Sequence, residues 1–273
     1  MNIILGREPT SSLPAGVACA KVAEMRKAIP SFAVFVLFAA APAAAAETPS
    51  ASPPAVESIG APPTAVAAVN PITLYGPDMA FDVLRNGKKV GDQTMTFARD
   101  GVGDLHVKVQ FHIEIDILFI KGAYTFDYSA AEIWRDNQMI SMAAQVNDNG
   151  KAVKTMARLE GGVFKIEGSQ GTTFTDHWLF PTNHWHHGQV DATSLLNTLT
   201  GKVVRVTIAR KGIDNVETAQ GSVEAEHFTY NGDLHDIDVW YDIAGRWVKM
   251  SFKAKDGSVI EYICRKCGLL GQP

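Results

Sequence analysis

The run His106-Val-Lys-Val-Gln-Phe-His-Ile-Glu-Ile-Asp-Ile117 places Val107, Val109, Phe111, Ile113, Ile115 and Ile117 at every second position, with polar residues between them. Successive side chains of a β-strand point to opposite faces, so the run predicts one apolar face and one wet face. Twelve residues at about 3.3 Å each approach 40 Å, far beyond the usual five or six residues. Only a strongly twisted or curled sheet accommodates a strand of that length.

The surrounding segments repeat the pattern. Strands over Phe81 to Arg85 and Thr94 to Arg99 are predicted around Asn86-Gly87, a pair that tolerates positive φ. Lys121-Gly122 turns the long strand into Tyr124–Tyr128, Arg135-Asp-Asn137 turns the strand at Glu132–Trp134, and Asn147-Asp-Asn-Gly150 ends the next. Further strands are predicted over 153–159, 163–167, 203–210, 224–230, 236–242, 246–252 and 258–263. Short turns between them favour antiparallel pairing throughout. One short helix is predicted over about residues 193–200, with Asp191 or Thr193 at its start, Gly201 at its end and Leu195, Leu196 and Leu199 against the sheet. The expected fold is all-β: a single strongly curled antiparallel sheet or partly open β-barrel carrying that helix.

Ahead of this domain, Arg26 and Lys27 precede the apolar run Phe32–Phe38, and Ala44-Ala-Ala46 supplies small residues. This is the pattern of a secretory signal peptide over 25–46, with cleavage near Ala46 and a periplasmic or secreted destination. The apolar run is about ten residues where a membrane-spanning helix needs roughly twenty, so no anchor is expected after cleavage. Signal peptides begin with their charged region, which puts the expected start at Met25 and residues 1–24 outside the functional chain. Residues 47–74, rich in Ala, Pro, Ser and Thr, read as a disordered linker. Residues 75–267 form one domain and 268–273 a tail. Cleavage removes four basic and two acidic residues, moving the net charge from −4 to about −6. Nucleic-acid binding demands a basic footprint and is not expected.

Four of the eight histidines and two of the five tryptophans fall within Asp176–His187. Three readings stand. Trp178, Phe180 and Trp185 plug the end of the sheet while the histidines sit in water; or His184 and His186, on one side of an extended chain, join His177 or Asp176 as zinc ligands with an open fourth position; or one histidine is catalytic. None of the established zinc spacings is present, so no cofactor is expected and zinc on His177, His184 and His186 is the alternative. Cys264-Arg-Lys-Cys267 follows a strand instead of opening a helix, which removes the usual source of a lowered thiol pKa. In an oxidising compartment a local disulfide is expected, closing too small a loop to stabilise much. There is no Gly-x-Ser-x-Gly elbow and no phosphate-binding loop.

Several short stretches occur together in a fixed order: Phe81-Asp-Val-Leu-Arg-Asn-Gly-Lys-Lys-Val-Gly91, Ala131-Glu-Ile-Trp-Arg135, Asp176-His-Trp178, Leu195-Leu-Asn-Thr-Leu-Thr-Gly201 and Trp240-Tyr-Asp-Ile-Ala-Gly-Arg-Trp247. In these the chain resembles a family of exported bacterial proteins known only as a domain of unknown function, number 6134. The resemblance implies no activity and no catalytic residues. In general shape it is similar to the curled sheets that hold lipids and lipoproteins in the periplasm, an analogy of fold alone. The leading expectation is a non-enzymatic envelope protein binding a lipid or other apolar ligand, lined by Val107, Val109, Phe111, Ile113, Ile115, Phe126, Trp178 and Trp185. The alternatives are a metal-dependent protein built on the His-rich loop and an envelope interaction module without a ligand.

Overall fold

The computed structural model describes residues 69–117 and 119–268. The expected signal peptide, its cleavage site, most of the linker and the tail beyond Gly268 lie outside them. The linker's last residues are ordered. Asn70 caps a short helix α1 (Pro71–Tyr75) by accepting from the Ile72 N–H at 3.2 Å, and the helix stops at Gly76 with φ +87°. The Ala/Pro-rich composition that suggested a tether up to residue 74 hides this anchor, because Pro71 favours the first helical position.

Fifteen strands follow. The first eight are β1 (Asp78–Arg85), β2 (Lys88–Arg99), β3 (Leu105–Ile117), β4 (Ile120–Arg135), β5 (Gln138–Asp148), β6 (Lys151–Glu160), β7 (Val163–Gly168) and β8 (Gly171–Thr175). The rest are β9 (Phe180–Pro181), β10 (Ser194–Asn197), β11 (Lys202–Thr218), β12 (Gly221–Gly232), β13 (Ile237–Asp242), β14 (Trp247–Lys253) and β15 (Val259–Lys266). They form one sheet in the order β8-β7-β6-β5-β4-β3-β2-β1-β15-β14-β13-β12-β11-β10-β9. The chain thus walks out from β1 to one edge, crosses to the other edge, and walks back to pair β15 with β1.

That crossing forces the curl. Fifteen strands about 4.8 Å apart would span roughly 65 Å if flat. Yet only residues 176–179 separate β8 from β9, and the five steps from Thr175 to Phe180 reach at most about 18 Å. The two edges are drawn together, and the Ser169 N–H donates to the Thr200 carbonyl at 3.0 Å. The approach requires glycines. A Cβ on Gly168 would lie 2.4 Å from the Thr200 oxygen, and one on Gly201, where φ is +74°, would lie 2.8 Å from the Gly168 Cα. The edges touch there but do not pair, so the sheet is a curled, unclosed barrel.

The long alternating strand is β3, thirteen residues with Val107, Val109, Phe111 and Ile113 buried on its inner face. Asn86 and Gly87 make the β1–β2 turn at φ +48° and +78°. No described helix is long and apolar enough to cross a membrane.

Two expectations are corrected. Residues 193–200 are not a helix: Ser194–Asn197 form β10, and the chain turns at 198–201, where the Asn197 side chain accepts from the Leu199 N–H at 3.0 Å. A helix that short has few internal hydrogen bonds, whereas β10 pairs with β9 and β11 on its two sides. Leu195 and Leu196 are both fully buried, so both faces of the strand are covered and its sequence does not alternate. Antiparallel pairing is not universal either, since β9 and β10 run parallel, Phe180 opposite Leu195 and Pro181 opposite Leu196. Residues 182–193 supply the crossover that a parallel pair needs.

Candidate functional site

After β9 the chain runs inside the curl over residues 183–190, most of them buried, where water has little access to their backbone. Two tyrosines hydrogen-bond it instead. The Tyr241 hydroxyl donates to the His184 carbonyl at 3.0 Å and accepts from Gln189 Nε2 at 2.8 Å. The Tyr75 hydroxyl donates to the Trp185 carbonyl at 2.8 Å and accepts the Trp247 N–H at 2.9 Å, which ties α1 to the interior.

Side chains anchor the same segment to β4. On that strand Phe126, Tyr128, Trp134 and Glu132 share one inward row. Glu132 is 1 % exposed. Its carboxylate accepts from Trp134 Nε1 at 2.7 Å, from Trp185 Nε1 at 3.1 Å and from the Asn183 amide, whose oxygen accepts from the Tyr128 hydroxyl at 2.8 Å. Burial pushes this carboxyl above its ordinary value, while the three donors, Asn183 first, pull it back down. The net direction is upward.

The histidines divide. His186 accepts from the Gly188 N–H at Nδ1, 3.0 Å away, so Nε2 carries the proton and donates to Asn137 Oδ1 at 2.9 Å. Its ring stacks on Trp134 at 5.7 Å. His184 sits in the left-handed region at φ +60°, and its ring packs against Tyr230 and Trp247 at 5.7 and 5.4 Å, whereas that of His186 packs against Trp134. Burial lowers both imidazoles to about 4, so both are neutral near pH 7. The His184 Nδ1, the Tyr230 hydroxyl and the Gln189 Oε1 have no hydrogen-bond partner.

Beside His184 lies a cavity of about 80 Å³. Phe111, Phe126, Trp247, Phe252 and Tyr262 give it an aromatic wall from β3, β4, β14 and β15. Thr182, Asn183, Asn197 and Thr198 give it a polar wall from the inner segment and the end of β10. No side chain charged at neutral pH lines it, and only Thr182 and Leu199 of its lining are partly exposed. A second void, about 290 Å³, lies on the outer side of β3–β7 over Ala131, Ala143 and Met156, rimmed by Lys108, Arg158, Glu160, Lys165 and Glu167. It is larger, but its rim charges are exposed, Lys165 and Glu167 already pair at 2.6 Å, and the buried Glu132 that also borders it is held by Trp134, Trp185 and Asn183. The inner cavity is the one of the two whose lining includes a buried polar atom without a partner, the His184 Nδ1.

A family described as "Domain of unknown function (DUF6134)" matches residues 81–265. The chain belongs to this family. It is also similar to the crystal structure of a beta-barrel-like protein of domain of unknown function DUF1849 from Brucella abortus, with 14% identity, a TM-score of 0.49, and coverage of 69% of this chain and 95% of that one. No curated protein matches.

In this DUF6134 domain the eight residues expected to line a ligand have different positions. Phe111 and Phe126 border the cavity. Val107, Val109 and Ile113 are completely buried in the filled core, Ile115 is half-buried near the β3–β4 tip, and Trp185 is held by Glu132. Trp178 packs edge-on against Trp134 and Phe180. His177 is exposed beside Asp176, apart from the enclosed His184 and His186, and among the described residues no three His, Cys, Asp or Glu side chains gather as metal ligands. Cys264 and Cys267 form a disulfide with a Cα–Cα distance of 6.1 Å. Sequence reasoning missed Glu132, Tyr230 and Tyr241. The signal for Glu132 was its phase, since counting back in twos from Trp134 passes through it to Tyr128 and Phe126.

Proposed function

We propose that the protein is a non-enzymatic binding protein of the cell envelope that takes the end of an apolar ligand, such as a lipid, into the cavity beside His184. The observation that carries this reading is the cavity itself: an aromatic wall faces a neutral polar wall inside a curled sheet, a few apolar surfaces with convergent polar groups being the usual make-up of a ligand site. Its size limits what enters. About 80 Å³ is roughly half the volume of a cavity that encloses benzene, so a whole acyl chain is not enclosed and most of it stays outside, beyond Thr182 and Leu199. On the apolar face from Val107 to Ile113, Phe111 borders the cavity, and Val107, Val109 and Ile113 contribute core. Export rests on the segment over 25–46, which directs the search for the ligand to the periplasm.

Native mass spectrometry of the mature domain purified from the periplasm, beside elemental analysis, tests the reading. An organic mass that co-purifies and is removed by solvent extraction is the expected result. A stoichiometric metal lost on His184→Ala would favour the metal-binding alternative, and a bare protein mass contradicts ligand carriage.

A further inference from the structure

We infer that the ligand group entering this cavity is uncharged and carries a hydroxyl or amide function that hydrogen-bonds the imidazole of His184, an assignment that rests on the binding function proposed above. Charge is excluded by what lines the space. Gln93, Tyr128, Thr182, Asn183, Asn197 and Thr198 supply hydroxyls and amides, and the lining offers neither a cation nor an anion to pair with. A carboxylate or ammonium group would leave water without compensation. The nearest buried acid, Glu132, already accepts from Trp134, Trp185 and Asn183.

Most polar groups of the inner segment's other side chains hold partners, the Gln189 Oε1 excepted, and Gln189 does not line the cavity. His186 uses both ring nitrogens, Asn183 donates and accepts, Thr182 pairs with Thr198, and Gln189 donates to Tyr241. Among the segment's cavity-lining residues, His184 alone has a buried polar atom without a partner. Its residue is 7 % exposed, it lines the cavity, its Nδ1 is without a partner, and burial alone accounts for its lowered pKa. Buried polar groups in native proteins are satisfied with few exceptions, and each exception calls for a ligand, a water or a strained function. A left-handed backbone at a non-glycine residue, with the carbonyl pinned by Tyr241, fixes the ring in this place. A neutral imidazole offers one donor and one acceptor, as a hydroxyl or primary amide does.

Three probes of equal chain length test the assignment on the whole mature domain: 1-hexanol, hexanoate and n-hexane, with affinity measured by titration calorimetry at pH 7 and, in the wild type, the ¹⁵N signals of the His184 ring followed alongside. The expected result is that 1-hexanol binds at least ten-fold more tightly than hexanoate or n-hexane and shifts the His184 nitrogens. His184→Phe should lower 1-hexanol to the level of n-hexane, and His184→Asn, which accepts the left-handed backbone and keeps both hydrogen-bonding roles, should restore part of the preference. Equal binding of 1-hexanol and n-hexane, or an unchanged ratio in His184→Phe, would overturn the assignment and leave apolar binding standing. Ring signals unmoved at saturating 1-hexanol would mean that an ordered water alone serves the imidazole, which also overturns it. If none of the three binds, the binding function fails together with the assignment.

Discussion

The inner face of the wall from β2 to β6 and the inner segment from Asn183 to Val190 are both largely buried, but by different means. The wall buries alternate apolar side chains, and its backbone bonds repeat in long ladders, unbroken from β2 to β3 and interrupted from β3 to β4 only at Ile115–Ile117. Each residue there has many equivalent neighbours. Beyond Thr182 the inner segment pairs with no strand, and its position depends on single bonds: Tyr241 to the His184 carbonyl, Tyr75 to the Trp185 carbonyl, and the Asn183 and Trp185 donors to Glu132. Redundant burial tolerates small losses, whereas a buried polar bond broken on one side leaves an unsatisfied group.

The largest effect should therefore come from the segment. Trp185→Ala removes a large buried side chain and one donor to Glu132, and is expected to cost about 3–5 kcal/mol in urea unfolding. A loss under about 1 kcal/mol would mean the segment is not integral to the core.

Next comes pH. His184 and His186 have folded pKa values of about 4 against an ordinary 6.5, so only the unfolded chain takes up these protons as pH falls from 6.5. Their contribution is complete above pH 6.5 and is lost toward pH 4, on the order of 3 kcal/mol for each. Glu132 works in the opposite direction. Its raised carboxyl holds a proton after the unfolded chain has released its own, so it favours the folded state at low pH and is less favourable as pH rises. Unfolding free energies of the wild type, His186→Asn and Glu132→Gln from pH 4 to 7 separate the two. The histidine variant should flatten the acid-side loss, and Glu132→Gln should steepen it.

The junction of the sheet edges is intermediate. Gly201→Ala places a Cβ 2.8 Å from the Gly168 Cα and forces a left-handed alanine, with an expected cost of about 1–3 kcal/mol. Hydrogen exchange at Ser169, whose N–H bonds Thr200, should then speed up more than exchange in β3. The smallest effect belongs to the wall: Ile113→Val, in a fully buried site, should cost about 0.5–1.5 kcal/mol.

The same contrast explains what the sequence made legible. Alternation in β3 and the Asn86-Gly87 turn act locally, so both were readable and the curled all-β fold followed. Leu195, Leu196 and Leu199 fit the face of a helix as well as a strand covered on both sides, and only β9 and β11, distant or irregular in sequence, decide between them. β8, Gly-Thr-Thr-Phe-Thr, is mostly exposed and carries no alternation to detect. The His-rich loop stands out in the sequence, but that His184 and His186 face the interior instead of the water expected of them depends on distant residues such as the tyrosines 57 residues along the chain from His184 and 110 residues back from Trp185.

The central claim is that the cavity beside His184 is occupied by ligand in the cell envelope. Leu199→Trp fills that space from its partly exposed side, and its native mass, measured beside that of the wild-type domain from the same periplasm, tests the claim most directly. The account predicts an extractable organic mass on the wild type that is absent from a Leu199→Trp domain with the same circular dichroism. The same mass on both, or on neither, contradicts it.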